Sequence, residues 1–514
     1  MNQLLATTAD PMAKRKKARK VAMISVSAAA LGAMIGSTGM GPYSGNPVLG
    51  AAIGAGALFL LATVFVTLAD WRHGLVLLLA IVLGEDSIRK AIPNAPNWVN
   101  LGKDFVVAAA YLSFLFRGRA KNPYRLPREA RMLVIAPLMV WAAFVIFEAF
   151  NPGVQHVLIG ISGIRTWLLY MPLFVLAAYF VQDLEKPERM FNLLVMLAIP
   201  FLALTLLQNT FGESLPSFLH DKELTKYRTL ESGESIRYNE SVFATSTAYS
   251  LVCVFHLCLV VGLLKIKQTP RMVVMIWIAG YCAVAGAYLS GIRTGLSFIG
   301  IAIIALSPLM LLRKRRRPDG SYEKRHGLLI GAVVGILVGA CLVVSMKETR
   351  AKAFWSGLDP SVVNTRMAYA VEVTQWFDTG PIGAGTGTAG KSGQVLALVG
   401  EEGSSNTEVE WGTALIKFCF GDVGMVLGAI VLVWLMLGLL KLAIEHRHGR
   451  YMPLRYALWV YVCAQLSWFL FKAYPVLENG TMTLMCWTSV GFILGLHEID
   501  RREFAGVSNA LLDR

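Results

Sequence analysis

The chain has 514 residues, 55% of them apolar and only 16% charged, with a formal charge of +15. Soluble domains are usually about 25% charged, so an ordinary soluble protein is excluded. The basic excess sits in short clusters between long apolar runs, which is the pattern of a polytopic membrane protein and not of a nucleic-acid-binding face.

In chain order, residues 1–20 form a polar leader that ends in the basic cluster 14–20. An apolar run starts at Val21 and a second follows at 47–69, so the first is expected to be an uncleaved anchor and not a signal peptide. Further spans are expected near 73–84, 103–117, 132–149, 165–181, 191–209, 243–264, 272–289, 295–312, 328–346, 412–440, 454–471 and 480–496. A crossing needs about 20 residues, so the short segment at 73–84 must be tilted, flanked by amphipathic turns or partly re-entrant. The fold expected is all-α and polytopic, with about fourteen crossings. Its parts are a leader (1–20), helices one to eleven (21–346), a large loop (347–411), helices twelve to fourteen (412–496) and a tail (497–514).

A cytoplasmic N-terminus puts the dense basic clusters at 14–20, 117–131, 313–325 and 441–455 on one side together, and the C-terminus there too. Two long loops then fall on the outer side, at about 211–241 and 347–411. Structureless loops longer than about 12–15 residues are uncommon, so chemistry is sought there. The seven cysteines all lie in or beside apolar runs without a CxxC pair, and read as small buried hydrophobes.

Residues 385–392, Gly-Thr-Gly-Thr-Ala-Gly-Lys-Ser, match the P-loop pattern in form. A P-loop joins a buried strand to a helix, and the residues before 385 do not read as a strand, so the octapeptide is expected to be a glycine-permitted turn. The pentapeptide Ser-Gly-Ile-Arg-Thr occurs at 162–166 and again at 290–294, both at the expected outer interface. Arg165 and Arg293 there could snorkel, or could bind an anionic headgroup through charge-assisted hydrogen bonds. In the large loop Arg366 is a candidate phosphate ligand, and Glu408 and Glu410 are candidate bases. As a helix start the two glutamates would simply suit the dipole. Two residues apart, they diverge by about 200° on a helix, so one at most faces a given site. No acidic cluster suited to magnesium or manganese is evident, and neither a metal nor another cofactor is expected.

Five motifs in order resemble the O-antigen ligase/polymerase (Wzy-type) superfamily over roughly residues 160–440. They are 237–245, beginning at Arg237; Ser290-Gly-Ile-Arg293; Asn364-Thr-Arg366 with Trp376 and 381–387; the closing polar motif from Asn406; and Gly421 with Gly424. Ligases of the family depend on a histidine before the closing Asn, whereas Ser405 stands there in this chain. The Glu-x-Glu-Trp pattern at 408–411 looks more like the exopolysaccharide polymerases; His156 and His220 are lesser outer-side alternatives.

The resemblance implies a GT-C-like core in a bacterial inner membrane and a large periplasmic loop. It implies periplasmic, metal-independent polymerisation of oligosaccharide repeat units carried on undecaprenyl pyrophosphate. Glu408 or Glu410 would be the base. Arg165, Arg293 and Arg366 would stabilise the pyrophosphate, supported by Asn406, Trp376 and Arg237. Partners would be the lipid-linked oligosaccharide, the bilayer and other assembly proteins such as a flippase or a chain-length regulator, with no nucleic acid. O-antigen ligation and protein O-glycosylation are alternatives within the family. A precursor transporter or flippase is the rival class, but mid-span titratable groups are nearly absent, His256 being the clearest.

Overall fold

The computed structural model describes residues 47–91, 97–118, 126, 128–154, 156–211, 227–229, 235–237, 246–290, 293–311, 380–388, 412–471 and 480–512. They fall into two compact units that divide between Pro123 and Tyr124. The spans expected near 21–46 and 328–346 lie outside the described residues.

The first unit is built on α1 (Pro47–Ala69), α2 (Trp71–Ala91) and α3 (Asn97–Ser113), which pack on one another. Asp70 separates α1 from α2 and caps α2, its Oδ1 accepting from Arg72 N–H at 3.2 Å. The buried Trp71 ring meets Phe114 edge-on at 5.4 Å. The apolar stretch 71–81 of α2 overlaps the short segment expected at 73–84.

The second unit starts with α4 (Arg128–Glu148), which widens by one turn at Arg131–Ile135. Next come α5 (Val157–Leu168), α6 (Leu173–Gln182) and α7 (Pro187–Phe211). A small hairpin, β1 (Tyr227–Thr229) with β2 (Ser235–Arg237), pairs Tyr227 with Arg237. Then follow α8 (Ser246–Leu264), α9 (Pro270–Leu289), α10 (Arg293–Leu311), α11 (Gly412–Ile444), α12 (Met452–Phe471) and α13 (Gly480–Leu512).

Among the described residues seven helices are long and apolar enough to cross a bilayer, and 157–182 counts as one crossing despite the turn at 169–172. The protein is therefore a multi-pass helical membrane protein. About nine-tenths of the spans on α8 and α13 is covered by protein, against 28% of the span on α11. The first two form the interior of the unit, and α11 offers a lipid-facing surface on which Val426, Ile430, Val433 and Leu437 are exposed.

Two interior polar groups find partners close by. Tyr249 O–H donates to the Leu202 carbonyl at 3.0 Å, and Gly286 leaves room for that phenol. His256 is buried with Nδ1 2.8 Å from the Val252 carbonyl, a hydrogen-bonded core residue and not an exposed relay.

Several expected boundaries shift. The segment expected at 165–181 begins at Val157, where His156 accepts from Leu158 N–H, and it breaks at 169–172 because Pro172 disfavours helix in the residue before it. The last helix runs on past 496 to Leu512. The repeated pentapeptide takes two backbones: 162–166 lies inside α5, while 290–294 bridges the end of α9 and the start of α10.

The second unit has two polar ends. One gathers 149–156, Ser290, 380–388 and the start of α11. The other gathers Gln182, Glu188, 445–451 and 497–502, joined by bonds such as Arg450–Glu188 and Arg502–Gln182.

Candidate functional site

Helix α11 is broken. Gly421 has φ 64° and ψ −163°, which ends a first piece at Phe420 and restarts the helix beyond it. A break of this kind strands backbone groups on both sides, and in an apolar surrounding each must find a partner. The segment 380–388 supplies them. Ala384 N–H donates to the Phe418 carbonyl at 2.8 Å and Gly385 N–H to the Cys419 carbonyl at 2.9 Å. On the far side Val423 N–H donates to the Pro381 carbonyl at 3.0 Å.

The same segment caps the end of α4. Thr386 N–H donates to the Glu148 carbonyl at 3.1 Å, and its hydroxyl donates to the Val145 carbonyl at 3.2 Å. It can follow so tight a path because Gly380, Gly383, Gly385 and Gly387 all have positive φ, between 72° and 95°. Gly163 of α5 lets the turn lie flat on that helix, since a Cβ there would come within 2.2 Å of Thr386. Residues 385–388 are thus the tight turn expected in place of a P-loop, and 389–392 lie outside the described residues.

Phe420, at the break, is fully buried among Trp141 at 5.2 Å, Phe144 at 5.8 Å and Trp167 at 5.0 Å between ring centres. These edge-on and tilted contacts fix the first piece of α11 against α4 and α5.

One acidic group sits in this construction. The Glu148 side chain is buried, with Oε2 accepting from Asn151 Nδ2 at 2.7 Å. The same Asn151 amide approaches the Ile382 and Gly383 carbonyls at 3.3 Å each, and its Oδ1 accepts from Gly153 N–H. Glu148 Oε1 has no hydrogen-bond partner among the described residues. The arrangement joins a half-satisfied carboxylate to the loop through a single amide. Sequence reasoning missed both residues; the available signal was an acid closing an uncharged apolar run, followed three residues later by Asn-Pro-Gly.

The residues singled out in the sequence are distributed as follows. Arg165 is half-buried on α5, two residues beyond Gly163 and so about 200° around the helix from the loop contact. Arg293 is the first residue of α10, and Arg237 closes strand β2. Arg366, Trp376, Asn406, Glu408 and Glu410 lie outside the described residues, as does His220. His156 is exposed and caps α5 through Nδ1, a structural task. No protein-family model matches the chain, and no curated protein is found to be similar to it.

Proposed function

We propose that the protein is a glycosyltransferase of the Wzy type that polymerises oligosaccharide repeat units carried on undecaprenyl pyrophosphate, at the periplasmic face of a bacterial inner membrane. The observation that carries this reading is the use made of residues 381–387, the Pro-x-Gly-x-Gly part of the resemblance. They are bonded into the break at Gly421, itself one of the matched glycines, so two motifs that lie apart in sequence form one structural unit. A large loop tied down at its middle can hold chemistry in register with the helices below it.

In the reaction an acceptor hydroxyl attacks the anomeric carbon of the carrier-linked sugar. The new glycosidic bond forms as the bond to pyrophosphate breaks. Glu408 or Glu410 takes the acceptor proton, and the departing diphosphate is stabilised by Arg165, Arg293 and Arg366 without a metal. Glu410 stands two residues before Gly412, which opens α11 at the end that carries the loop. The proposed orientation makes that end periplasmic, leaving the basic turn 445–451 in the cytoplasm.

Deletion of the gene, followed by analysis of lipid-linked sugars, tests the class. A polymerase mutant accumulates single repeat units on the carrier at the periplasmic face and loses high-mass polysaccharide. Long polymers left on the carrier would instead indicate a ligase, and units trapped at the cytoplasmic face a flippase. At residue level, Glu408→Gln and Glu410→Gln are expected to differ, one lowering polymer at least 100-fold at equal protein level. Wild-type polymer from both would remove the base assignment.

A further inference from the structure

We propose that Glu445, His446 and His497 form a binding site for a divalent transition-metal ion of the zinc class, at the end of the second unit opposite the glycine loop. The three residues converge from separate elements. Glu445 and His446 follow the end of α11, and His497 comes from the buried face of α13. One potential ligand atom from each lies within 4.8 Å of the others. His497 Nε2 is 3.1 Å from Glu445 Oε2, close to the roughly 3.3 Å that separates two ligands of one tetrahedral zinc with bonds of about 2.0–2.1 Å. Closing His446 onto that pair takes a side-chain movement of roughly 1.5 Å.

Polar accounting points the same way. Each neutral imidazole carries one N–H and one lone pair, and a carboxylate carries only acceptors. His446 Nε2 is buried with no hydrogen-bond partner among the described residues. The His446 and His497 rings stand 5.4 Å apart with no hydrogen bond between them. The His446 ring, with one nitrogen buried and unpartnered and with a carboxylate and a second imidazole close by, can turn a lone pair toward a cation held among the three. Two histidines and one carboxylate favour zinc-like ions over magnesium or calcium, which prefer all-oxygen sets.

The surroundings hold the ligands in place. His446 has φ 54°, a conformation that non-glycine residues rarely keep without a reason, and its ring stacks on Phe504 at 5.3 Å. The Arg455 guanidinium donates to the backbone carbonyls of Leu442 and Glu445, fixing the turn that carries the first ligands. Asp500, 3.0 Å from Arg455, balances that charge, so the site keeps the negative charge of Glu445 for a cation. The Glu445 side chain is one-third exposed, which leaves an edge open for entry and for a water as fourth ligand.

The test uses the full-length protein, purified in detergent without a histidine tag, stripped with EDTA and titrated with Zn²⁺ or Co²⁺. One equivalent of zinc per chain is expected, with a visible Co²⁺ spectrum and a raised unfolding temperature. His446→Asn removes a good ligand while keeping a residue that tolerates positive φ, and should weaken binding at least tenfold and abolish the cobalt spectrum. Exposed His448→Ala should bind as the wild type does. A wild-type protein that binds no more zinc than His446→Asn, with both monodisperse by size exclusion, overturns the site and leaves an imidazole–carboxylate pair.

Discussion

At Gly380 the backbone has φ 76° and an added Cβ would meet nothing within 4 Å, whereas at Gly383, with φ 72°, it would lie 2.5 Å from the Gly421 nitrogen. The conformational demand is the same and the surroundings differ, so alanine separates the two effects. Gly380→Ala should cost only the left-handed backbone penalty, about 1–2 kcal/mol. Gly383→Ala must also push the loop off the break in α11, exposing carbonyls that the loop now satisfies, and should cost on the order of 3 kcal/mol or more. Thermal unfolding of the purified variants reads the difference, and equal shifts would mean the loop is not held at Gly383. The turn itself was legible, because alternating glycines have few other uses. Glu148 was not. An acid at the end of an apolar run reads as interfacial, and its burial depends on Asn151 and on carbonyls more than 200 residues away in sequence.

Among the elements, the apolar runs located nearly every described helix, because burial in lipid or protein demands about the same length of apolar chain in each case. Their ends were less legible. Two identical pentapeptides fold differently because Gly163 is needed by the turn at Thr386, whereas Ser290 closes α9 by donating its hydroxyl to Ala287. The first partner lies more than 200 residues away in sequence, whereas the second is one turn back along α9. The Arg455–Asp500 pair that links α12 to α13, wholly buried and 3.0 Å apart, is likewise invisible to periodicity. Arg455→Met should cost about 3–5 kcal/mol, because it leaves Asp500 charged and unpaired. Adding Asp500→Leu should recover only part of that loss, because the Leu442 and Glu445 carbonyls stay without their donor. Full recovery in denaturant melts would show that those carbonyl bonds contribute nothing.

For the second unit as a whole, the assignment of its two ends to the two sides of the membrane decides whether the proposed chemistry can occur. One end carries Arg447, Arg450, Arg501 and Arg502 around the turn that follows α11, and the other carries the glycine loop and the broken helix. Lys and Arg close to the ends of spans set orientation, because translocating them is costly while neutral and acidic loops pass more freely. The loop end is therefore expected in the periplasm. Alkaline phosphatase, which is active only after export, should be active when fused after residue 395 and inactive when fused after residue 448. A fluorescent protein that matures only in the cytoplasm should give the reciprocal pattern. The reverse result would leave the packing of α4 to α13 intact, since nothing in their contacts depends on sidedness. It would nevertheless remove the glycosyltransferase reading, because Glu408, Glu410 and the capped loop would then face a compartment where the extracytoplasmic, carrier-linked repeat units are not presented.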